Sequence, residues 1–229
     1  HLAPTPWPAH STVKEVVLPF GRFPGCDVRL GPEMRSTGEV MSFGRSFPEA
    51  FAKAQIAAGN PLPVGGTVLI SLNDADKRQG IPLVAQLHDM GFKIIATRNT
   101  AQALRAMGVP AETALKVGEG RPDVVDLIAQ GKVDLVVNTP TSAGQGTSVS
   151  PTPPVPPTAQ ERGVPLSLQG KRSVGYRIRT AALDYHVPYV TTLIALQAAV
   201  AAIRSLRSAE LPVRALGEIT QGGGGKNEG

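Results

Sequence analysis

Strands and helices alternate along residues 62–206, and this alternation constrains the fold more than any other feature of the sequence. Short runs of almost continuously apolar residues are separated by stretches with helical periodicity. Apolar runs without polar alternation indicate strands that are buried on both faces, as in a parallel sheet with helices on each side. We therefore predict an α/β fold, a three-layer Rossmann-like parallel sheet. The predicted strands are 67–72, 92–97, 113–117, 133–138 and 188–190, and the predicted helices are 79–89, 100–107, 122–130, 174–185 and 192–206.

A shorter segment with a different pattern precedes the α/β region. The run VKEVVLPF at 13–20 is typical of a strand, whereas residues 21–46 hold many Gly and Pro residues and show little periodicity. The run FPEAFAKAQIAA at 47–58 predicts a helix, because its apolar side chains share one face. We predict a partial α+β segment over residues 1–60, in which the first dozen residues are extended.

Two stretches lack both the strand and the helix period. Residues 141–172 are rich in Pro, Ser, Thr and Gly, a composition that cannot bury enough apolar surface to fold by itself. Residues 207–229 end in QGGGGKNEG, which is typical of a flexible tail. The Gly run in this tail is not a phosphate loop, because no strand precedes it. We predict a loosely ordered insertion within the α/β region and a flexible tail after it.

The composition argues against several classes of protein. The net charge of +5 is modest, and no run of Lys and Arg is interleaved with aromatic residues, so we expect no nucleic-acid binding. Cys26 is the single cysteine, which rules out an intrachain disulfide and suits a reducing cytoplasm. The longest apolar stretch, at 193–203, is too short to cross a membrane. Because the chain begins with His1 rather than Met, we expect a fragment of a cytoplasmic protein.

Polar and cationic side chains follow the predicted strands, at the edge of the sheet where α/β proteins bind ligands. Hydroxyls, amides and lysines occur there, and no cluster of carboxylates does. The segment from Thr97 to Thr100 closes a strand and opens a helix, whose free N–H groups and dipole favour an anion. The sequence therefore predicts an anion site formed by Ser71, Lys77, Thr97, Thr100, Lys116, Asn138 and Thr139.

A simpler interpretation of these residues stays open. Thr and Asn residues just before a helix are often N-caps, and Lys77 and Lys116 taken alone are typical of solvated surface charges. Asp74 and Asp76 have the spacing of a turn rather than of a general base or a metal site. The histidines of the α/β region have no Cys or carboxylate partner at ligand spacing, so we expect no metal site.

Several long motifs resemble one known family. The runs VKEVVLPFGRFPGCDVRLGPEMRSTGEVM at 13–41 and FPEAFAKAQIAAG at 47–59 resemble the end of the second synthetase half of carbamoyl phosphate synthetase large subunits. The α/β region resembles the methylglyoxal-synthase-like domain that follows this half in the family. The second resemblance is carried by GFKIIAT at 91–97, KVGEGRPDVVDLI at 116–128, VVNTP at 136–140 and PYVTTL at 188–193.

The resemblance implies a division of the chain and of its function. It assigns residues 1–60 to the synthetase half and residues 62–206 to an allosteric domain. The family makes carbamoyl phosphate, for arginine and pyrimidine synthesis, from bicarbonate, two ATP and ammonia that a glutaminase small subunit releases from glutamine. Its ATP and Mg²⁺ (or Mn²⁺) sites lie in the upstream ATP-grasp body, so we expect no cofactor and no catalytic residue in this segment. The implied partners are that body, the small subunit and further copies in an oligomer of heterodimers.

The resemblance also implies small-molecule effectors. In bacterial members UMP inhibits and IMP activates at one overlapping site, and the matching positions are the seven residues of the predicted anion site. Ornithine, an activator, binds between the two segments in the family. Its matching positions are Glu15, which would pair with the amine, and Tyr189 and Thr191.

The sequence departs from the family pattern at three places. Asn99 stands where the family usually has glycine, in the loop that cradles phosphate. We expect this loop to persist, because Asn tolerates a left-handed backbone better than most residues. The insertion at 141–172 replaces a short Gly-rich segment that helps to close the site, and Ser42 replaces a glycine.

Three other interpretations have to be weighed. A methylglyoxal synthase needs a carboxylate general base in its pocket, and the stretches TRNTA and NTPTSAG lack one. The inosinate cyclohydrolase half of the bifunctional purine enzyme has a related domain, but its lysine-threonine-leucine-histidine motif is absent here. An interaction module whose ligand site has decayed would keep all the motifs, so only a binding experiment separates it from an effector domain.

Overall fold

The structure is a computed structural model that describes residues 10–17, 38–139, 174–208 and 211–212. The predictions of an extended arm at the start, a loosely ordered insertion and a flexible tail fall wholly or mostly outside the described residues.

A parallel five-stranded sheet forms the centre of the described chain, as the apolar runs predicted. The strand order is β5-β4-β3-β6-β7, and each pair of neighbours is parallel. The connections proceed outward from β3 in both directions, so β3 and β6 are neighbours at the point where the strand order reverses. The strands are β3 (Thr67–Ser71), β4 (Lys93–Thr97), β5 (Glu112–Ala114), β6 (Leu135–Asn138) and β7 (Tyr189–Val190).

Helices cover both faces of this sheet and give the three layers. Alternate strand residues point to opposite faces, so Leu69 packs into one core while Val68 and Ile70 pack into the other. The larger core lies under α1, α2, α3 and α6, and the smaller core lies under α4 and α5. The helices are α1 (Phe47–Ala57), α2 (Asp74–Asp89), α3 (Arg98–Ala106), α4 (Val124–Ala129), α5 (Val174–Asp184) and α6 (Leu193–Ser208).

A two-stranded antiparallel hairpin precedes the sheet. Strand β1 (Ser11–Val17) corresponds to the predicted strand at 13–20, and it pairs with β2 (Gly38–Gly44). The little periodicity of residues 21–46 gave no indication of β2, which was not predicted. The sequence of β2, GEVMSFG, has no apolar alternation, and its extended conformation follows from pairing with β1.

Helix α1 joins the hairpin to the α/β region. The Ser42 hydroxyl donates to the carbonyl oxygen of Ala50 at 2.5 Å, so this serine fastens β2 to α1. Ala52 of α1 and Leu62 belong to the larger core of the α/β region, and α1 packs along α6. Helix α1 and Leu62 therefore share a core with the parallel sheet.

The start of helix α2 differs from the prediction. Asp74 and Asp76 were expected in a turn, but they occupy the first turn of α2, five residues before the predicted start at 79. The Asn73 side chain caps this helix by accepting from the N–H of Asp76 at 2.9 Å. Acidic residues in a first turn complement the helix dipole, which stabilises the early start.

The apolar stretch at 193–203 forms part of α6, whose buried residues include Leu196, Val200 and Ile203. It is a core helix, as its length predicted. Among the helices of the described ranges, none combines the length and the apolar character that a membrane crossing requires.

Candidate functional site

The carboxyl ends of four neighbouring strands bring the predicted anion-site residues to one edge of the sheet. Ser71 of β3 is paired in register with Asn138 of β6, and Thr97 of β4 is paired with Ala114 of β5. This edge includes the reversal point between β3 and β6, where open α/β sheets bind ligands. We call the seven residues the strand-end site: Ser71, Lys77, Thr97, Thr100, Lys116, Asn138 and Thr139.

Thr97 does not act as an N-cap, although it occupies that position of helix α3. Its side chain makes no capping hydrogen bond. The hydroxyl instead lies 3.4 Å from the Ser71 hydroxyl and 3.3 Å from the Thr100 hydroxyl. By contrast, the side chains of Asn73 and Asp123 do cap their helices. The N-cap interpretation is therefore wrong for the Thr97 side chain, which gives the first N–H groups of α3 no cap.

Two threonine hydroxyls hold the loop that follows the central strand. The Thr100 hydroxyl accepts from the Leu72 N–H at 3.2 Å, and the Thr139 hydroxyl accepts from the Asn73 N–H at 3.0 Å. The Thr139 N–H in turn donates to the Ser71 carbonyl at 3.0 Å. The loop is thus fixed from the first turn of α3 on one side and from the residue after β6 on the other. Its position sets the start of helix α2, which carries Lys77.

Positive charge gathers beside this loop. Lys77 Nζ lies 2.6 Å from Asp74 Oδ1, and the Lys77 side chain is mostly buried while that of Asp74 is exposed. The hydrogen bond and charge of Lys77, with a smaller contribution from the charge of Lys116, lower the pKa of Asp74. Both lysines therefore lie within electrostatic reach of one exposed carboxylate, although they come from different loops.

The loop that carries Lys116 is held by its own side chains. Glu119 Oε2 accepts from the Lys116 N–H at 3.0 Å, and it lies 3.9 Å from Arg98 Nη2 at the start of α3. Asp123 and Asp126 form a capping box at the start of α4. These contacts fix the GEGRPD stretch between β5 and α4 next to the strand-end site.

The Asn99 substitution does not require the backbone that the sequence suggested. Asn99 lies in the first turn of helix α3 and is exposed. A helical residue needs no left-handed conformation, so the expectation of a left-handed backbone at Asn99 was wrong. Asn99 therefore fits this position without backbone strain.

Arg179 is a residue of this edge that the sequence interpretation missed. It is 3% exposed on helix α5, and its Nη1 donates to Asn138 Oδ1 at 3.1 Å. A signal was present, because Arg179 falls next to Ile178 and shares the buried face of α5 with Ala182. A buried arginine needs polar partners, and the end of β6 supplies one.

The three positions matched to an ornithine site lie on separate elements. Glu15 is a half-buried residue of β1, and burial raises its pKa while a hydrogen bond with Gln55 of α1 opposes the rise. Tyr189 belongs to the edge strand β7, and Thr191 precedes α6. The packing of α1 along α6 links the two regions of the chain that carry these residues.

The described residues offer little for acid–base or metal chemistry at this edge. Asp74, the carboxylate beside Lys77, is exposed and already paired. Within the described ranges, no three side chains of His, Cys, Asp or Glu come together as a metal site would need. The arrangement of hydroxyls, amide and lysines is chemically a set of hydrogen-bond donors and positive charges.

A family model described as the MGS-like domain matches residues 79–153. The carbamoyl phosphate synthase large chain of Thermotoga maritima is 54% identical over 210 residues, which cover 92% of this chain and 18% of the relative. The large chain of Synechocystis sp. is 43% identical over 91% of this chain and 17% of its own length. The "Carbamoyl phosphate synthase large chain, C-terminal section" of Methanopyrus kandleri is 41% identical over 94% of this chain and 35% of its own length.

The chain thus spans about a fifth of the length of the full large chains that it matches (18%). Among solved structures, the crystal structure of ForH has a TM-score of 0.38 and 17% sequence identity over 63% of this chain and 82% of that one. That likeness is too slight to bear on the fold or the site.

Proposed function

We propose a regulatory function for this chain, which belongs to the family of carbamoyl phosphate synthase large chains and carries an MGS-like domain. In this proposal the strand-end site binds nucleoside monophosphates of the UMP and IMP type. The synthase itself would make carbamoyl phosphate in the cytoplasm with ATP-grasp sites outside this segment and a glutaminase small subunit. Residues 1–60 would be the end of its second synthetase half, and residues 62–206 the effector domain.

One observation carries the proposal: the Thr97 side chain leaves the start of helix α3 uncapped, beside hydroxyls and two lysines. Uncapped N–H groups and the helix dipole favour a negatively charged group, and phosphate is the usual one at such positions. The cluster contributes donors from neighbouring strands rather than from one loop. A phosphate monoester has the charge and the acceptor oxygens that match this set.

The ion pair between Lys77 and Asp74 supports the same function. The Asp74 side chain is exposed, so it can move into solvent at little cost when a phosphate arrives. Lys77 would then exchange one oxygen partner for another, while Lys116 adds charge from the neighbouring loop. Regulation follows if the effector binds two states of the whole enzyme unequally, a coupling that is typically about 1–3 kcal/mol.

The test is calorimetric titration of the chain with UMP, IMP and inorganic phosphate, in parallel with Lys116→Ala. We expect saturable nucleotide binding, and about 10- to 100-fold weaker binding by the variant, because a charge-assisted hydrogen bond contributes roughly 1.5–3 kcal/mol. Lys132→Ala is the matched control. Lys132 is exposed and lies before β6, at the opposite edge of the sheet, so its removal should leave the affinity unchanged.

Equal loss of affinity in both lysine variants would contradict a defined phosphate site and indicate unspecific attraction of anions. Absence of nucleotide binding by the wild-type chain would contradict the proposal and favour an interaction module that shares the fold. Binding of inorganic phosphate alone would limit the site to the phosphate group and remove the argument for a nucleotide.

Glu15 of β1, with Tyr189 and Thr191 of the α/β region, forms the site that we propose for an amino acid with a side-chain amine, such as ornithine. Glu15→Gln should abolish this binding, because the amine requires a carboxylate. The variant should also be slightly more stable at pH 7. Burial raises the pKa of Glu15 above 4.5, so its contribution to stability is full below that value and declines as the pH rises through the raised pKa.

Denaturant unfolding at pH 4 and pH 7 checks the predicted stability of Glu15→Gln, and ornithine titration at pH 7 checks the predicted loss of binding. The two proteins should be equally stable at pH 4, and the difference at pH 7 should stay below about 1 kcal/mol because Glu15 is only half-buried. Glu39→Gln on the neighbouring strand serves as the control and should leave ornithine binding intact. Ornithine binding by the Glu15→Gln variant would contradict the proposal that Glu15 binds the amine.

A further inference from the structure

We propose that Arg179 is a positioning residue that fixes the side-chain amide of Asn138, so that the amide NH₂ donates into the strand-end site. The inference rests on the proposed function for the identity of the ligand. The orientation of the amide is a separate claim that needs no ligand. It adds to the strand-end site a residue from helix α5, which is the next described element after β6 in the chain.

The two side chains are buried together at the end of β6. Asn138 and Arg179 are each 3% exposed, and Nη1 of the guanidinium donates to Oδ1 of the amide at 3.1 Å. Asn138 is held in place by its strand, which pairs it in register with Ser71 of β3. The contact joins residues that are 41 positions apart in the sequence, so it forms only in the folded protein.

The chemistry of the two groups leaves one orientation. A guanidinium has donors and no acceptor, so the group of Asn138 that faces it must be the carbonyl oxygen. The NH₂ group then points away from Arg179 and is a donor. Asn138 could otherwise offer a ligand either an acceptor or a donor, and this orientation restricts it to a donor.

Gly175 closes the space above this pair. An ideal Cβ at position 175 would lie 3.1 Å from Asn138 Oδ1 and 3.2 Å from Arg179 Nη1. The first turn of α5 therefore packs directly on the hydrogen bond, and a Cβ at position 175 would displace the two side chains by a few tenths of an ångström. Any side chain at this position would therefore press on the pair, and glycine avoids this contact.

The fixed amide has a consequence for specificity. A ligand atom that faces Asn138 must be an acceptor, such as a phosphate oxygen or a base carbonyl, and an amino group at the same place would be rejected. The buried guanidinium adds positive charge a few ångströms behind the amide, and this charge is poorly screened because both groups are out of water. Both effects favour an anionic, oxygen-rich ligand.

A stability cycle on the full chain tests the orientation without any ligand. Asn138→Asp places a carboxylate where the amide oxygen faces Arg179, so we expect its unfolding midpoint to stay within about 2 °C of the wild type or to rise. In an Arg179→Met background the same carboxylate is buried without that partner. The unfolding midpoint of the double variant should therefore lie at least about 4 °C below the value expected if the two single shifts were additive. Equal destabilisation by Asn138→Asp with and without Arg179 would overturn the orientation.

A binding cycle tests the positioning role. We expect UMP and IMP to bind about 10-fold more weakly to Asn138→Ala and about 3- to 10-fold more weakly to Arg179→Met. The double variant should bind no more weakly than Asn138→Ala, because Arg179 acts through that side chain. Combined with Lys116→Ala, in contrast, Arg179→Met should be additive. Additive losses in the Asn138 pair would reduce Arg179 to a structural residue and overturn the inference.

A third variant perturbs the pair from outside. Gly175→Ala pushes on both side chains without removing either one. We therefore expect the variant to bind UMP and IMP more weakly than the wild type, as Arg179→Met does. If the wild-type chain binds neither nucleotide, the proposed function fails, and the stability cycle still decides whether Arg179 fixes the amide.

Discussion

Replacement of Gly44 by alanine is expected to separate helix α1 from strand β2 and to lower the free energy of unfolding by about 3 kcal/mol. An ideal Cβ at this position would lie 2.5 Å from the Ala50 nitrogen and 2.9 Å from the Ser46 carbonyl oxygen. Both are backbone atoms, so neither can turn away as a flexible side chain could. The hydrogen bond between these two atoms, which is 3.0 Å long, closes the first turn of α1.

The lower stability of Gly44→Ala should affect the α/β region as well as the hairpin. Ala52 of α1 belongs to the larger core under the parallel sheet, and α1 packs along α6. Chemical denaturation should therefore show one cooperative transition at lower denaturant, rather than early unfolding of the hairpin alone. Two separate transitions would show that the segment before the α/β region folds independently of it.

Gly38→Ala in the same strand is the matched control. An ideal Cβ there meets only the Val17 Cβ, at 3.9 Å, which is an ordinary van der Waals contact. We expect a change within about 0.5 kcal/mol, as for most surface substitutions. Equal destabilisation by the two variants would mean that strand propensity, rather than the contact with α1, sets the effect.

The parallel sheet was predictable because burial on both faces leaves a sequence signal. Strands such as β3 and β6 are short, almost continuously apolar runs, and their length favours a buried strand over a helix. The strand β2 had no comparable signal. Its Gly, Glu and Ser residues suit a loop equally well, and only the pairing with β1 makes them a strand.

The strand-end site was predictable in its membership but not in its internal contacts. The topology of a parallel sheet brings strand ends together, which a sequence can indicate. Which partner a hydroxyl chooses depends on the register of neighbouring strands and on distances of a few tenths of an ångström. Thr97 therefore looked like a cap and instead contacts Ser71 and Thr100. Arg179 was missed because it lies within a helix rather than directly after a strand, and only the packing of α5 brings it to the end of β6.

Thr100→Val is expected to weaken both the fold and the ligand site. Thr100 is 1% exposed, and its hydroxyl accepts from the Leu72 N–H at 3.2 Å. Valine has nearly the same shape but no hydroxyl, so this buried N–H loses its partner. We expect a cost of about 1–3 kcal/mol in the free energy of unfolding, the usual cost of a buried donor left unpaired. Denaturant unfolding of the two proteins measures it.

Nucleotide affinity should fall about tenfold in the same variant, because the loop that Thr100 holds leads directly into the helix that carries Lys77. Thr139 would then hold this loop from one side only. Thr100→Ser is the control, because it keeps the hydroxyl and removes one methyl group, at a cost of about 0.8 kcal/mol. Its nucleotide affinity should match the wild type.

The two measurements on these variants separate two roles of one side chain. If Thr100→Val loses stability but binds UMP and IMP as the wild type does, the hydroxyl serves the fold alone, and the ligand does not depend on the position of the Lys77 loop. If Thr100→Ser also loses affinity, the methyl group rather than the hydroxyl shapes the site. Loss of affinity in Thr100→Val alone, at a temperature where both variants are folded, ties ligand binding to the hydrogen bond between Thr100 and the loop after β3. In that case one hydroxyl both completes the fold at this edge of the sheet and serves the ligand, by holding the loop that leads to Lys77 and as a member of the strand-end site.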